Sequence, residues 1–155
     1  MSRDVPQTQA HQIPREARIA IVAARFNGAI VDELLTGCLG RLEEIGANPA
    51  HVETHRVPGA FELPLAAKWI AGSGNFAAVI CLGCVIRGDT PHFDFVAGEC
   101  ARGIQQAMLD SGVPIIFGVL TTDTEEQARQ RAGGTHGNAG ARAADAAAEM
   151  IGLRR

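Results

Sequence analysis

The sequence is poor in aromatic residues, with no tyrosine, one tryptophan and six phenylalanines in 155 residues. Proteins that bind single-stranded nucleic acids usually stack bases on aromatic side chains, so this scarcity argues against that class. Basic residues are not in excess either, because the formal net charge is −3 and the pI is about 5.9. The chain therefore lacks the general positive field that attracts a nucleic-acid backbone.

Long apolar runs are also missing. No stretch has the length needed to span a bilayer, and the N-terminus lacks the apolar centre of a signal peptide. We therefore expect a cytoplasmic protein without a membrane partner. In that compartment the four irregularly spaced cysteines are expected to be reduced thiols.

No set of zinc ligands can be recognised, although Cys81 and Cys84 are spaced as C-x-x-C. No second cysteine pair or nearby histidine completes the four ligands of a structural zinc site. Three residues apart on a strand, the two side chains point to opposite faces of the sheet. We therefore predict buried, inert thiols and no metal site.

The length and the 46% share of hydrophobic residues suit one globular domain, which we place at residues 17–155. Residues 1–16 are polar and contain Pro6 and Pro14, so they are predicted to form an extended N-terminal tail. Two interpretations of this tail stay open. It is either mobile, or its residues 7–13 pair with the sheet edge of a neighbouring subunit.

Four segments are predicted as β-strands, three of them apolar runs typical of buried strands, and each is followed by a stretch with helical periodicity. Alternation of this kind indicates an α/β protein, a three-layer α/β/α sandwich around a central, mainly parallel four-stranded sheet in flavodoxin-like order. The predicted strands are residues 18–24, 51–57, 77–86 and 113–120.

The unusual residues follow the carboxyl ends of these strands. Parallel strands bring those ends to one edge of the sheet, where open α/β proteins bind their ligands. The four segments concerned are Arg25-Phe26-Asn27, Val57-Pro58-Gly59, Arg87-Gly88-Asp89 and Thr121-Thr122.

Phe26 and Asn27 each allow a structural interpretation. A large aromatic at a turn either plugs the edge of the core or offers a flat face to a planar ring, and the position alone favours the plug. Asn27 precedes a periodic segment, so its side chain is expected to cap the helix that follows.

Glu62 and His92 fall in the first turns of two predicted helices. A carboxylate there is either a partner of the helix dipole or a ligand-binding group. Thr90 is predicted as the N-cap and Pro91 as the first residue of the second helix, which places His92 beside free amide donors. His92 is then either a solvent-facing residue or a proton carrier beside a bound anion.

Five motifs occur in order along the chain: residues 25–27 (RFN), 57–62 (VPGAFE), 83–93 (GCVIRGDTPHF), 114–121 (PIIFGVLT) and 127–140. Together they resemble those of the 6,7-dimethyl-8-ribityllumazine synthases, the family that catalyses the penultimate step of riboflavin biosynthesis. The resemblance extends over nearly the whole chain from about Arg18. Any one motif would be weak, but the ordered set is specific.

The resemblance implies a transferase that condenses 5-amino-6-(D-ribitylamino)uracil with 3,4-dihydroxy-2-butanone 4-phosphate. The products are the lumazine, phosphate and water, and no metal or organic cofactor is implied. His92 matches the family's proton carrier, and Phe26 matches the aromatic that stacks on the pyrimidine ring. The other residues implied in substrate binding are Asn27, Gly59, Ala60, Phe61, Glu62, Cys84, Val85, Ile86, Gly88, Asp89, Thr90, Phe117 and Arg131.

One position departs from the family pattern. Where the family commonly has Gly-Asn-Lys-Gly, this chain reads Gly137-Asn138-Ala139-Gly140, so a lysine that would face the ligands is absent. The loss of an ammonium group is expected to affect catalytic strength more than the fold. Arg142 or His136 are the candidates to compensate.

The family resemblance also implies a homopentamer whose active sites lie between neighbouring subunits. Phe117 and Arg131 would then reach ligands shared with an adjacent chain. Pentamers of this family often assemble into an icosahedral shell of 60 subunits, and the lack of an insertion in residues 131–140 favours such a cage.

Two other function classes stay open. A non-catalytic relative would keep the pocket for ligand binding or shell formation but lose turnover with the lysine. A flavodoxin-like electron carrier would share the alternating architecture and carry a tightly bound flavin.

Overall fold

The computed structural model describes residues 11–154, and predictions on residues 1–10 lie outside this part of the chain. A central sheet of four parallel strands has the order β2-β1-β3-β4, with helices on both faces. The predicted three-layer α/β/α class and flavodoxin-like order are therefore confirmed. The strands are β1 Ile19–Ala24, β2 Val52–Val57, β3 Ala78–Ile86 and β4 Ile115–Thr122.

Helices connect successive strands and complete the outer layers. They are α1 Gly28–Glu44, α2 Leu63–Gly72, α3 His92–Ser111, α4 Glu125–Gln130 and α5 Ala139–Arg154. Among the described residues, no helix combines the length and apolarity needed to cross a membrane.

The core has two layers, one on each face of the sheet. On β1, Ile19 and Ile21 face α1 and α5, whereas Ala20 and Val22 face α2 and α3. Every β1 side chain is buried, as expected for a parallel strand covered on both sides. Each fully buried Ile or Leu side chain stabilises the fold by about 1.5–3 kcal/mol, so the two layers hold β1 and β3 firmly.

The cysteines lie in this core and none forms a disulfide. Cys81 belongs to the layer beside α2 and α3 and Cys84 to the opposite layer, so the two thiols point to opposite faces as predicted. Burial raises the pKa of Cys38 and Cys100 to about 12 and that of Cys84 to about 11. The thiols therefore stay protonated near neutral pH.

A short hairpin, β5 Ala132–Gly134 with β6 Gly137–Asn138, connects α4 to α5 and was not predicted. The Oδ1 of Asn138 accepts hydrogen bonds from the backbone N of Gly140 and Ala141, at 2.8 and 3.1 Å, and so caps α5. A Cβ on Gly140 would overlap the carbonyl oxygen of Leu34, so glycine permits close contact between α5 and α1.

The structure describes residues 11–16 of the predicted N-terminal tail. Ile13 is buried in the core, and its N donates to the O of Ile45 at 2.8 Å. Residues 11–13 therefore run against their own domain. Pairing of the N-terminal segment with a neighbouring subunit stays a prediction, because residues 7–10 lie outside the described part.

Candidate active site

Backbone hydrogen bonds join the carboxyl ends of the strands into one edge. Arg25 N donates to Val57 O at 2.8 Å and Phe26 N to Pro58 O at 3.0 Å, which links the ends of β1 and β2. Arg87 N donates to Thr122 O at 2.9 Å and links β3 to β4. The four strand ends therefore form a continuous rim.

Asn27 connects the ends of β1 and β3 through its side chain. Its Nδ2 donates to the carbonyl oxygen of Cys84 at 2.8 Å, across the sheet. Its backbone is left-handed, with φ 56° and ψ 43°, and its side chain makes no capping hydrogen bond to α1. Asn27 therefore occupies the predicted N-cap position of α1, but the expected side-chain capping bond is absent because the amide group spans two strand ends instead.

Phe26 is exposed at this rim, with 72% of its surface accessible. The plug interpretation, which position alone favoured, is therefore wrong. The ring projects from the turn after β1 and lies beside Gly59, whose added Cβ would meet the Cβ of Phe26 at 3.8 Å. An exposed phenyl ring on a rigid strand end provides a flat apolar face.

Glu62 ends a short 3₁₀ turn, Ala60–Glu62, that follows β2 and leads directly into α2. Its Oε2 accepts a hydrogen bond from Gly59 N at 2.9 Å, which holds the carboxylate against the turn. The backbone of Gly59 and the carboxylate of Glu62 thus face the cavity from one compact loop.

The helix after β3 begins at His92, so Pro91 takes the N-cap position instead of the predicted first helical position. Thr90 Oγ1 accepts a long hydrogen bond of 3.4 Å from His92 N. Pro91 offers no side-chain acceptor to the first turn, and α3 is 20 residues long. Its N-terminus therefore presents amide groups and a positive dipole end toward the rim.

These segments enclose a cavity of about 350 Å³. Phe93 and Val96 also line it, and neither was predicted as a site residue. Val96 follows His92 by four residues and therefore shares its helix face. Its helical spacing had been interpreted as part of the apolar stripe that faces the core. The predicted residues in the lining are Phe26, Asn27, Gly59, Ala60, Phe61, Glu62, Cys84, Val85, Ile86, Gly88, Thr90 and His92.

Three predicted residues, Asp89, Phe117 and Arg131, do not line this cavity. Phe117 is 43% exposed and borders a separate cavity of about 210 Å³ together with Ala139 and Arg142. Arg131 follows α4, and its Nη1 donates to the O of Gln127 in that helix at 2.9 Å.

The composition of the main cavity bears on the ligands it can hold. None of the described residues in its lining is a lysine or an arginine. Within residues 11–154, no three histidine, cysteine, aspartate or glutamate side chains gather as a metal site requires. The cavity thus offers apolar walls, one carboxylate, one imidazole and backbone amides.

Comparison with known proteins identifies the family. The family model for 6,7-dimethyl-8-ribityllumazine synthase matches residues 16–155. The chain belongs to this family. The resemblance carried by the five sequence motifs is therefore confirmed.

Two similar relatives are both named 6,7-dimethyl-8-ribityllumazine synthase. The protein from Syntrophus aciditrophicus (strain SB) is 53% identical over 148 residues, which is 96% of each chain. The protein from Halorhodospira halophila (strain DSM 244 / SL1) is 53% identical over 141 residues, 91% of this chain and 90% of the relative. The lumazine synthase match thus spans the whole rim that lines the cavity.

Proposed function

We propose that this protein condenses 5-amino-6-(D-ribitylamino)uracil with 3,4-dihydroxy-2-butanone 4-phosphate to form 6,7-dimethyl-8-ribityllumazine, phosphate and water. One observation carries the proposal: a single cavity combines an exposed phenyl ring, a carboxylate, an imidazole and a helix N-terminus. These groups suit a flat heterocycle with a polyol chain and a phosphorylated partner. Both matched relatives are named synthases, which does not favour the non-catalytic alternative.

The pyrimidine binds between the ends of β1 and β3 in this proposal. The ring stacks on the exposed face of Phe26, and backbone groups at Val85 and Ile86 hydrogen-bond to its polar edge. The ribityl chain lies along the Gly59 turn, where the Glu62 carboxylate accepts hydrogen bonds from its hydroxyls. Stacking supplies affinity, and the hydrogen bonds set the orientation of the reacting amine.

The phosphorylated ketone binds at the start of α3. Gly88 and Thr90 line the cavity there, and the helix offers backbone amides and a positive dipole end to the phosphate. Asp89 lies in the same turn and contributes its backbone. This arrangement places the carbonyl carbon of the ketone near the pyrimidine amine.

His92 then exchanges the protons that the reaction requires. The amine attacks the carbonyl and loses water to give a Schiff base, and phosphate then leaves by elimination to give an enol that tautomerises to a second carbonyl. The second amine attacks this carbonyl and loses a second water, which closes the ring. Each step moves a proton, and imidazole donates and accepts protons readily near neutral pH. Holding the two reactants together provides much of the remaining acceleration.

The site is completed by a neighbouring subunit in our proposal, within a cytoplasmic homopentamer that assembles further into a 60-subunit shell. A phosphate monoester usually requires a cationic side chain, and the cavity lining of the described chain contains no lysine or arginine. Arg131 and Phe117 lie elsewhere on the chain, so a second copy can present them. Arg142 borders the same small cavity as Phe117, so the second copy would present the two residues together.

The activity is tested by mixing both substrates with the protein and following lumazine fluorescence against the spontaneous reaction. We expect product formation well above the spontaneous rate and a loss of that excess in His92→Ala. Binding of the pyrimidine without any acceleration would support the non-catalytic alternative. Purified protein that carries a flavin cycling between redox states would support an electron carrier instead.

The shared site is tested by mixing two defective variants. His92→Ala and Arg131→Ala are each expected to be nearly inactive, but random mixing of their subunits would make about a quarter of the sites intact. Activity that appears after the assemblies are dissociated together and reassembled supports a site between subunits, and no recovery places both residues in one chain's site. Light scattering separates the pentamer from the shell.

A further inference from the structure

Arg87 lies at the end of β3 and contacts three side chains on two other elements. Its Nε is 2.9 Å from Oδ1 of Asp123, just beyond β4, and its Nη1 is 3.4 Å from Oδ1 of Asp94 in α3. Its guanidinium carbon lies 4.3 Å from the centre of the Phe93 ring. The side chain therefore joins β3, the loop after β4 and the first turn of α3.

These contacts surround the start of α3, where the catalytic machinery is proposed. Phe93 lines the main cavity and directly follows His92. No side chain of the N-cap residue fixes this first turn, because the N-cap is Pro91. The planar guanidinium stacks on Phe93 and binds both carboxylates, and these contacts fix the orientation of the first turn of α3.

Arg87 also offsets negative charge near the proposed phosphate site. Asp94 and Asp123 lie within reach of one arginine that immediately precedes Gly88, so both carboxylates are close to the turn that receives the phosphate. Without Arg87 they would repel a bound dianion. The arginine therefore balances negative charge where a negative ligand is expected.

We propose that Arg87 is a positioning residue for the phosphorylated substrate, which it serves by holding Phe93 and the first turn of α3 and by neutralising Asp94 and Asp123. The inference rests on the function proposed above. Arg87 does not line the cavity, so it acts through these three neighbours and not by touching the substrate.

A role in global stability is a weaker explanation. Arg87 and its partners are exposed, with 44% of the arginine side chain and 63% and 68% of the two aspartates accessible. Ion pairs with this exposure contribute little to the stability of a fold. A substitution of Arg87 should therefore change kinetics much more than the melting temperature.

The test compares Arg87→Ala and Arg87→Lys with a matched control, Arg102→Ala. Arg102 is an exposed arginine of α3 that pairs with Glu99 in its own helix, about 15 Å along the axis from His92. Steady-state kinetics with each substrate, inhibition by inorganic phosphate and the melting temperature are measured for all three and for the unaltered protein.

We expect Arg87→Ala to raise KM for the phosphorylated ketone about tenfold and to weaken inhibition by phosphate, with a smaller change for the pyrimidine. The defect should shrink as salt is raised, because salt screens the two uncompensated carboxylates. Arg87→Lys keeps the charge but loses the planar stacking, so its KM should lie between those of the alanine variant and the unaltered protein.

Kinetics of Arg87→Ala that match those of Arg102→Ala would overturn the proposal. A proportional loss for both substrates with a lower melting temperature would also overturn it, because that pattern indicates structural support alone. If the alanine variant does not assemble, Arg87→Lys is compared with Arg102→Ala in the same way. If the unaltered protein and Arg102→Ala are both inactive, the proposed function itself is wrong. This outcome is distinct from a failure of the role proposed for Arg87.

Discussion

The left-handed turn at Asn27 allows a stability prediction whose size follows from the structure. Alanine at this position loses the 2.8 Å hydrogen bond to Cys84 O, which contributes about 0.5–1.5 kcal/mol. Alanine also fits the backbone conformation of φ 56° poorly, at a further cost of about 1 kcal/mol. We therefore expect Asn27→Ala to lower the free energy of unfolding by about 1.5–2.5 kcal/mol.

Glycine at the same position separates the two contributions. Asn27→Gly loses the hydrogen bond but adopts the left-handed turn without strain, so its loss should be only about 0.5–1.5 kcal/mol. The free energy of unfolding should then decrease in the order asparagine, glycine, alanine. In a domain of this size 1 kcal/mol corresponds to about 2–4 °C in Tm, which calorimetry and urea denaturation both detect.

Asn75→Ala provides the control, because Asn75 is exposed and its side chain makes no hydrogen bond within the described part of the chain. This change should stay within about 0.5 kcal/mol of the unaltered protein. All proteins are compared at one concentration, since assembly makes Tm concentration-dependent. Equal stability of the glycine and alanine variants would contradict the left-handed turn, and a glycine variant as stable as asparagine would contradict the hydrogen bond.

Four further predictions concern the site and the core. His92→Ala should lower kcat about a hundredfold or more and leave the pyrimidine Kd nearly unchanged, whereas equal losses would indicate that the imidazole positions the ring. Phe26→Ala should weaken pyrimidine binding by about 1–3 kcal/mol in a calorimetric titration and barely change Tm, and unchanged affinity would refute stacking. Arg142→Ala should raise KM for the phosphorylated ketone, and Ala139→Lys in that variant should restore it if a cation beside Phe117 is what matters. Burial raises the pKa of Cys38 to about 12, so stability should be full below the ordinary thiol pKa of about 8.5 and fall above it as the unfolded chain ionises. Replacing Cys38 by alanine should reduce that slope by up to about 1.4 kcal/mol per pH unit, and an unchanged slope would contradict the burial effect.

Much of the fold could be predicted from local sequence. Strands β1 and β3 are continuous apolar segments that end at turn residues, and alternation with helical segments indicates a parallel sheet. Parallel order then brings the strand ends to one rim, so Phe26, Glu62 and His92 were expected to lie near one another. In the structure these three residues line a single cavity.

The errors arose where a side chain responds to a distant part of the chain. Asn27 bonds to Cys84 O, 57 residues away, and no local pattern distinguishes that contact from a helix cap. The exposure of Phe26 depends on how the turn after β2, at Pro58 and Gly59, packs beside it. Val96 has the same helical spacing as core residues, so periodicity alone could not assign it to the cavity.

The β5–β6 hairpin shows a different limit. Its two strands are three and two residues long, too short for an alternating pattern to be read, and glycines with positive φ at positions 133 and 137 shape it. Glycine was therefore interpreted there only as the end of a helix.

In our proposal a flat heterocycle binds at the rim formed by the ends of β1, β2 and β3. A crystal structure of the protein with 6,7-dimethyl-8-ribityllumazine bound would show whether this is so. We expect the ring stacked on Phe26, the ribityl chain beside Glu62 and His92 next to the newly formed ring. A ligand bound elsewhere, with Phe26 and Glu62 untouched, would contradict it.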